Sequence, residues 1–477
     1  MSVLVLEAST SSAKAMLYDK DTGYVEEESY PYPQKISCGG KQDTEGVFLA
    51  ILEAGKKLAA GKDINAIAVG GVWHSIAICD KSMKPAAPTY TWEFTGASDI
   101  CRNARDNEEL AKRFYRKSGC MPNTAYQPYT LRYLADNGMN LKDKLLSSQA
   151  GYNFYRLTGE RVETASIISG MGLLDTHMLT YNSDAMDFAG VDESQFGKLG
   201  SYKTICPLTK ECADMLGIAP GIPVVAPHSD GALNQVGNGA TEPGIMTLSV
   251  GTSAAIRVCT DAPVLSDPPG TWCYVGAEGW LCGAATAGAC NCINWFKETA
   301  LENKWSYQEL ESSLQDDSNA LVFLPFLFGE RCPGWRDERR GGFYKIEDGT
   351  TVPQMYQAIC EGVLFNIYQC YEIIKNYVGK PKRIIMSGGI LNSAGWSQMA
   401  ADIFGCDITL SDTAQASMFG GAALALHASG ELPGLADFSD TSTQIISPRN
   451  GATAVYIEKY ERYLDCYEGD GSFDNKR

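Results

Sequence analysis

The segment Leu4–Asp19, LVLEASTSSAKAMLYD, runs from a buried-looking strand into an acid, Glu7, and then through small and hydroxyl residues before the apolar pattern resumes. A polar turn between two strands explains that order. So does a place where backbone amides approach phosphate, with an acid nearby for a metal ion. A second segment, Met246–Val258, MTLSVGTSAAIRV, repeats the plan: Leu6 falls on Leu248, Thr10 on Thr252, Ser11 on Ser253 and Ala13 on Ala255. Each reads as apolar strand, small hydroxyl turn, apolar strand, which is a hairpin signature. One copy stands at the start and the other just past the midpoint, which predicts two domains built on a similar plan. The boundary is placed around ATEPG, giving residues 1–243 and 244–477.

Between and after the hairpins, strand-like and helical segments alternate. INAIAVGGVW and GIPVVAPHSD have the dense aliphatic character of buried strands. TLRYLADN, QAGYNFYRLTG and TKECADMLGI read as helices, the last two running into glycine. Tyr356–Gly379 repeats its apolar residues at three- and four-residue steps and predicts one long buried helix. KRIIMSGGILNSAGWSQMAADIFG reads as strand, glycine turn, helix. Such alternation predicts an α/β architecture.

A chain of 477 residues is too long for one compact core. A net charge of -17 argues against nucleic acid or an anionic membrane as the main partner. A polyanion bound here must be held by backbone amides, a metal and a few local cations. The 16 cysteines are scattered, with only Cys290 and Cys292 within four residues of each other, so zinc ligation is not indicated. They are expected as small core residues. No apolar run is long enough to span a bilayer, and the sequence predicts a soluble, reduced, cytoplasmic protein.

Several stretches carry candidate chemistry. In PHSDGALNQVGNGA, Asp230 follows a probable strand, where ligands of open α/β sheets bind. It is either a proton acceptor for an attacking hydroxyl, with its second oxygen toward a metal or water, or a turn or helix-capping residue. LSVGTSAA presents Gly251, Thr252 and Ser253 at a turn that suits phosphate, although such residues are common in turns. Gly388 and Gly389 form either a nucleotide platform or a tight strand–helix junction, and the spacing is not that of a Walker loop. Trp73 and His74 are core, surface or binding residues. FLPFLFGERCPGWRDERRGG is a surface loop or the wall of a cleft.

Taken in order, these segments resemble the FGGY family of carbohydrate kinases over almost the whole chain. WHS, SDGAL, GTSAAIR, TWCY and GERCPGW are similar to gluconate kinases, with xylulose kinases next. The resemblance implies the two-domain fold of actin, Hsp70 and hexokinase, ribonuclease H-like in each half, with an interdomain cleft. It implies transfer of the γ-phosphate of Mg-ATP to a hydroxyl of a sugar, polyol or sugar acid, best matched by D-gluconate. ATP and Mg²⁺ are the implied cofactors, and a homodimer is expected. Asp230 falls on the family's catalytic base. Trp73, His74 and Tyr126 fall where the sugar is contacted, the last by its place in PNTAY. Thr10, Ser11, Lys14, Gly251 and Thr252 fall on the phosphate turns, and Gly388, Gly389 and Asn392 on the nucleotide segment. Glu7 and Asp230 are the implied metal ligands.

Two departures bear on activity. The family's first turn reads Asp-x-Gly-Thr, where this chain has Glu7-Ala8-Ser9-Thr10. The extra methylene moves the carboxylate roughly an ångström outward, and the Ser9 Cβ is expected to narrow the approach to phosphate. Relatives carry Trp-x-Asp-x-Arg where this chain has Trp92-Glu93-Phe94-Thr95-Gly96, so the cation for a sugar-acid carboxylate is not assigned. These changes leave two other readings open: a ketose kinase of xylulose type, and a degenerate relative that senses sugar or nucleotide without turnover.

Overall fold

The computed structural model describes residues 1–314, 320–413, 415–438 and 444–469. The first hairpin is β1 (Ser2–Ala8) and β2 (Ser12–Asp19), and β3 (Val25–Pro31) completes an antiparallel meander. Residues Val3 to Ala8 of β1 are all buried, because the strand is covered on both faces. The side-chain period of two divides them: Leu4 and Leu6 enter the cluster shared with α1 (Thr44–Ala59), whereas Val3 and Val5 enter the opposite one. Next to β1 lies β4 (Ala66–Gly71), parallel to it, then parallel β6 (Pro223–Ser229), with β5 (Ile205–Pro207) antiparallel at the edge. The sheet order is β5-β6-β4-β1-β2-β3.

The second sheet repeats this plan. Here β7 (Ile245–Val250), β8 (Ala254–Thr260) and β10 (Trp280–Thr286) form the meander, with β9 (Trp272–Val275) outside it. Parallel to β7 run β11 (Arg383–Ser387) and β12 (Ile408–Leu410), and β13 (Ile445–Ile446) is the antiparallel edge. The order β10-β8-β7-β11-β12-β13 reproduces β3-β2-β1-β4-β6-β5 strand for strand. The repeat seen in two short segments therefore extends to whole sheets. One detail is corrected by the register. Four residues, Ser9–Ser12, separate the paired Ala8 and Ala13, but only Gly251–Ser253 separate Val250 and Ala254. Ala13 thus corresponds to Ala254 and not to Ala255, because the second turn is one residue shorter.

The two halves are locked by helices of small residues. Asp230 opens α2 (Asp230–Gly237), and α5 (Ala416–Ala428) crosses back from the second half to cover the first sheet. A Cβ on Gly237 would lie 1.8 Å from the Ala416 carbonyl oxygen, and one on Gly420 2.0 Å from that of Leu233. Backbone therefore touches backbone at this crossing, which only glycine permits. The predicted long helix is α3 (Val352–Val378), opened by a capping box of Thr351 and Gln354, and β11 is followed by α4 (Ala394–Phe404). Most cysteines are buried and all are unpaired. Among the described residues, no helix is long and apolar enough to cross a membrane.

Candidate active site

Strand β6 delivers Asp230 to its carboxyl end, in the cleft between the sheets. The Gly231 N–H donates to Asp230 Oδ1 at 2.7 Å. Burial, followed by repulsion from Glu7, raises the Asp230 carboxyl from its ordinary 3.8 to about 6, against the pull of the Gly231 amide, Arg257 and Lys14. Gly231 leaves room for the pocket wall, since a Cβ there would stand 2.4 Å from the Trp73 ring.

Asp230 opens onto a pocket of about 250 Å³. Trp73 and His74, at the end of β4, form one side, and Trp272 and Tyr274 of β9 form another. Trp73 Nε1 donates to the Ser166 carbonyl at 2.6 Å. His74 Nδ1 is bonded to the Gly170 carbonyl, and burial lowers the imidazole to about 3. The ring is therefore neutral, Nδ1 carries the proton, and Nε2 is left as an acceptor. Tyr126 does not line the pocket. It is fully buried behind it, its hydroxyl 2.8 Å from that of Tyr274 and its ring 5.5 Å from His74. Phe94 packs edge-on against Tyr90 and Tyr133, at 4.9 and 5.5 Å, so this departure lies in a core cluster. Trp92 does reach the pocket, and its Nε1 donates to Thr10 Oγ1 at 3.0 Å.

Two cations missed as site residues complete the wall: Arg257 from β8 and Arg331 from the loop of GERCPGW. That loop is a cleft wall. The signal for Arg257 was present, since a charge interrupts the apolar strand AAIRVCT, but which cleft it faces is set by how the strand packs in the fold.

At the first turn, Glu7 is 1% exposed, with Oε1 3.6 Å from Lys14 Nζ and Oε2 without a hydrogen-bond partner. Lys14 also reaches Gln415, at 3.4 Å, beside α5. Thr10 faces the pocket and Ser11 is exposed at the turn. The expected obstruction at Ser9 takes another form: its hydroxyl folds back onto Ser12, 2.8 Å from the carbonyl, and its φ is not positive. At the second turn, Gly251 and Thr252 are held against a helix start, with Cys290 N donating to the Gly251 carbonyl at 2.9 Å and Asn291 N to that of Thr252 at 3.2 Å.

Beyond this turn lies a cleft of about 590 Å³, lined by Gly389, Asn392, Ile293, Tyr307, Tyr356 and Trp396. Its apolar walls suit a flat heterocycle. Gly388 serves the junction instead. Its φ is +97°, and a Cβ would stand 2.5 Å from the Val250 carbonyl oxygen. Among the described residues no group of three or more metal-binding side chains converges. The partnerless Oε2 of Glu7, with the Asp230 carboxylate nearby, nonetheless fits Mg²⁺, which takes one or two carboxylates together with phosphate oxygens and water.

Residues 2–237 match the N-terminal domain, and residues 246–429 the C-terminal domain, of the FGGY family of carbohydrate kinases. A gluconokinase of Bacillus subtilis (strain 168) is 26% identical over 467 residues, 92% of this chain and 90% of its own. Crystal structures of gluconate kinase and of ligand-bound xylulose kinase, both from Lactobacillus acidophilus, share 26% and 25% identity. Each has a TM-score of 0.92 and matches over 98% of both chains.

Proposed function

The chain belongs to the FGGY family of carbohydrate kinases, and from that premise we propose that it phosphorylates a hydroxyl of D-gluconate or a similar sugar acid, with Asp230 as general base. One observation carries the assignment: Asp230 is a half-buried carboxylate raised to about 6, facing a sugar-sized pocket that Thr10 and Ser253 of the two hairpin turns also line. At neutral pH it is ionised yet basic enough to take the proton of an attacking hydroxyl. Trp73, His74 and Tyr274 orient the sugar and keep water out, with Tyr126 holding Tyr274 from behind. Phosphoryl transfer needs positioning and charge neutralisation more than covalent help.

ATP is the phosphoryl donor of the family. Gly389 and Asn392 would border its nucleoside, and Thr10, Ser11, Lys14, Gly251 and Thr252 its phosphates. Glu7 and Asp230 would hold Mg²⁺, which neutralises phosphate charge when bound. Sugar and base belong to residues 1–243 in this reading and the nucleotide to 244–477, with assembly as a homodimer. A ketose of xylulose type is the second reading, supported by the equal TM-score of the xylulose kinase. The presence of Asp230, Lys14 and both turns speaks against a sensor without turnover. ADP release screened over D-gluconate, D-xylulose and D-glucitol tests the proposal. Turnover strongest with D-gluconate is expected, and turnover with D-xylulose alone transfers the assignment to the ketose reading.

A further inference from the structure

The pocket onto which Asp230 opens is rich in donors that have nothing to donate to. Arg257 keeps Nε and Nη1, Arg331 its Nε and Trp272 its Nε1 buried without a hydrogen-bond partner, and all three residues line the same pocket. Neither arginine forms an ion pair among the described residues. The opposite charge that most influences Arg257 is Asp230, which must stay free to accept a proton. Lys14 is already engaged with Glu7 and Gln415.

Guanidinium is a donor at every nitrogen and keeps its charge under all ordinary conditions. Two such groups close enough to repel each other, as Arg331 does Arg257, carry a cost in a buried pocket. Buried donors without acceptors carry a further cost. An arrangement of this kind is relieved by a ligand with a negative charge and several acceptor oxygens in one plane. A carboxylate meets that description, because its two oxygens match the guanidinium fork. A neutral polyol or ketose does not, since its hydroxyls would leave the charges unneutralised.

We infer that Arg257 and Arg331, assisted by Trp272 Nε1, form the subsite that grips the carboxylate of an acidic substrate and so select sugar acids over neutral sugars and polyols. The inference rests on the kinase reading for the position of the hydroxyl, but it concerns a different group of the substrate. It also supplies the cation that the missing Trp-x-Asp-x-Arg arginine left unassigned. The two arginines come from β8 and from the GERCPGW loop, so the subsite belongs to the second half of the chain while the base belongs to the first. An acidic substrate would therefore bridge the cleft.

The test compares D-gluconate with D-glucitol, which has the same carbon chain without the charge. Wild-type protein should be protected against thermal unfolding by millimolar D-gluconate and much less by D-glucitol. Arg257→Gln and Arg331→Gln should each lower the gluconate-to-glucitol ratio of kcat/KM at least ~100-fold. Each variant without ligand should melt at or above the wild-type temperature, because an unpaired buried cation has been removed. A lower melting temperature with an unchanged ratio would mean a merely structural role and overturn the inference. Equal losses on acid and neutral substrates would assign the arginines to the transferred phosphoryl group and overturn it as well. Protection of wild type by D-glucitol or D-xylulose but not by D-gluconate would overturn it without any variant. Failure of the kinase reading looks different: D-gluconate would still protect in an Arg-dependent way, with no ADP released.

Discussion

Asp230 and Glu7 are close enough to repel each other but meet different demands. The raised Asp230 pKa means that the charged carboxylate is disfavoured in the fold, and the sign follows for both activity and stability. Below about 6 the group is protonated and cannot act as a base, so kcat/KM should fall about tenfold per pH unit there and be flat above it. A flat profile down to pH 5 would exclude the assignment. Its contribution to stability is fully present below 3.8 and is lost as pH rises through about 6. At pH 8 the ionised group thus costs the protein about 3 kcal/mol. Asp230→Asn, which can keep the Gly231 hydrogen bond, should raise the melting temperature at pH 8 by a few degrees and leave it nearly unchanged at pH 4. Glu7 was the anomaly of the opening segment, and its reason is now visible in part. The longer side chain brings Oε1 toward Lys14 and leaves Oε2 free. Glu7→Gln should raise the KM for Mg-ATP and the Mg²⁺ concentration needed for half-maximal rate, with sugar-induced thermal protection preserved. An unaltered Mg²⁺ requirement would remove Glu7 from the metal side.

At the scale of elements, both hairpins, the strand leading to Asp230 and the long helix could be read from the sequence, because periodicity and turn chemistry are local. What resisted reading was non-local. The α2–α5 crossing joins segments nearly two hundred positions apart, and α5 shows little beyond small and apolar residues. Its glycines carry the signal only once a partner is known. Gly420→Ala should destabilise the protein by about 3 kcal/mol, seen as a lower denaturant midpoint, because the added Cβ meets the Leu233 backbone at 2.0 Å. An unchanged midpoint would mean that the two helices are not in backbone contact. The outcome at Phe94 was equally non-local. The motif begins at the pocket-lining Trp92, but the aromatic side chain two residues on packs in the core with Tyr90 and Tyr133 instead.

On the scale of the molecule, one plan is used twice, and the cleft between the copies holds Asp230 and the residues proposed to act with it. The loop that carries Arg331 is also fastened to the first half: Asp337 accepts from Arg105 at 3.0 Å and from Asn123 at 2.7 Å. That clasp should hold the cleft closed and limit water access. Asp337→Ala is expected to raise the sugar KM and the ratio of futile ATP hydrolysis to sugar phosphorylation, measured as ADP formed per sugar phosphate. A ratio that stays at one would leave the clasp a purely structural contact. The sequence pointed to the family and to Asp230 and the turns as candidates, but could not show which cations face which cleft, since that depends on how two distant halves are set against each other. The central claim remains that a half-buried Asp230 drives phosphoryl transfer to a sugar acid, and it is tested most directly by ADP release with D-gluconate at pH 8. Wild type should turn over saturably, with Asp230→Asn slower by at least ~100-fold although folded and still protected by D-gluconate. An Asp230→Asn protein that keeps turning over D-gluconate at a near wild-type rate would contradict it.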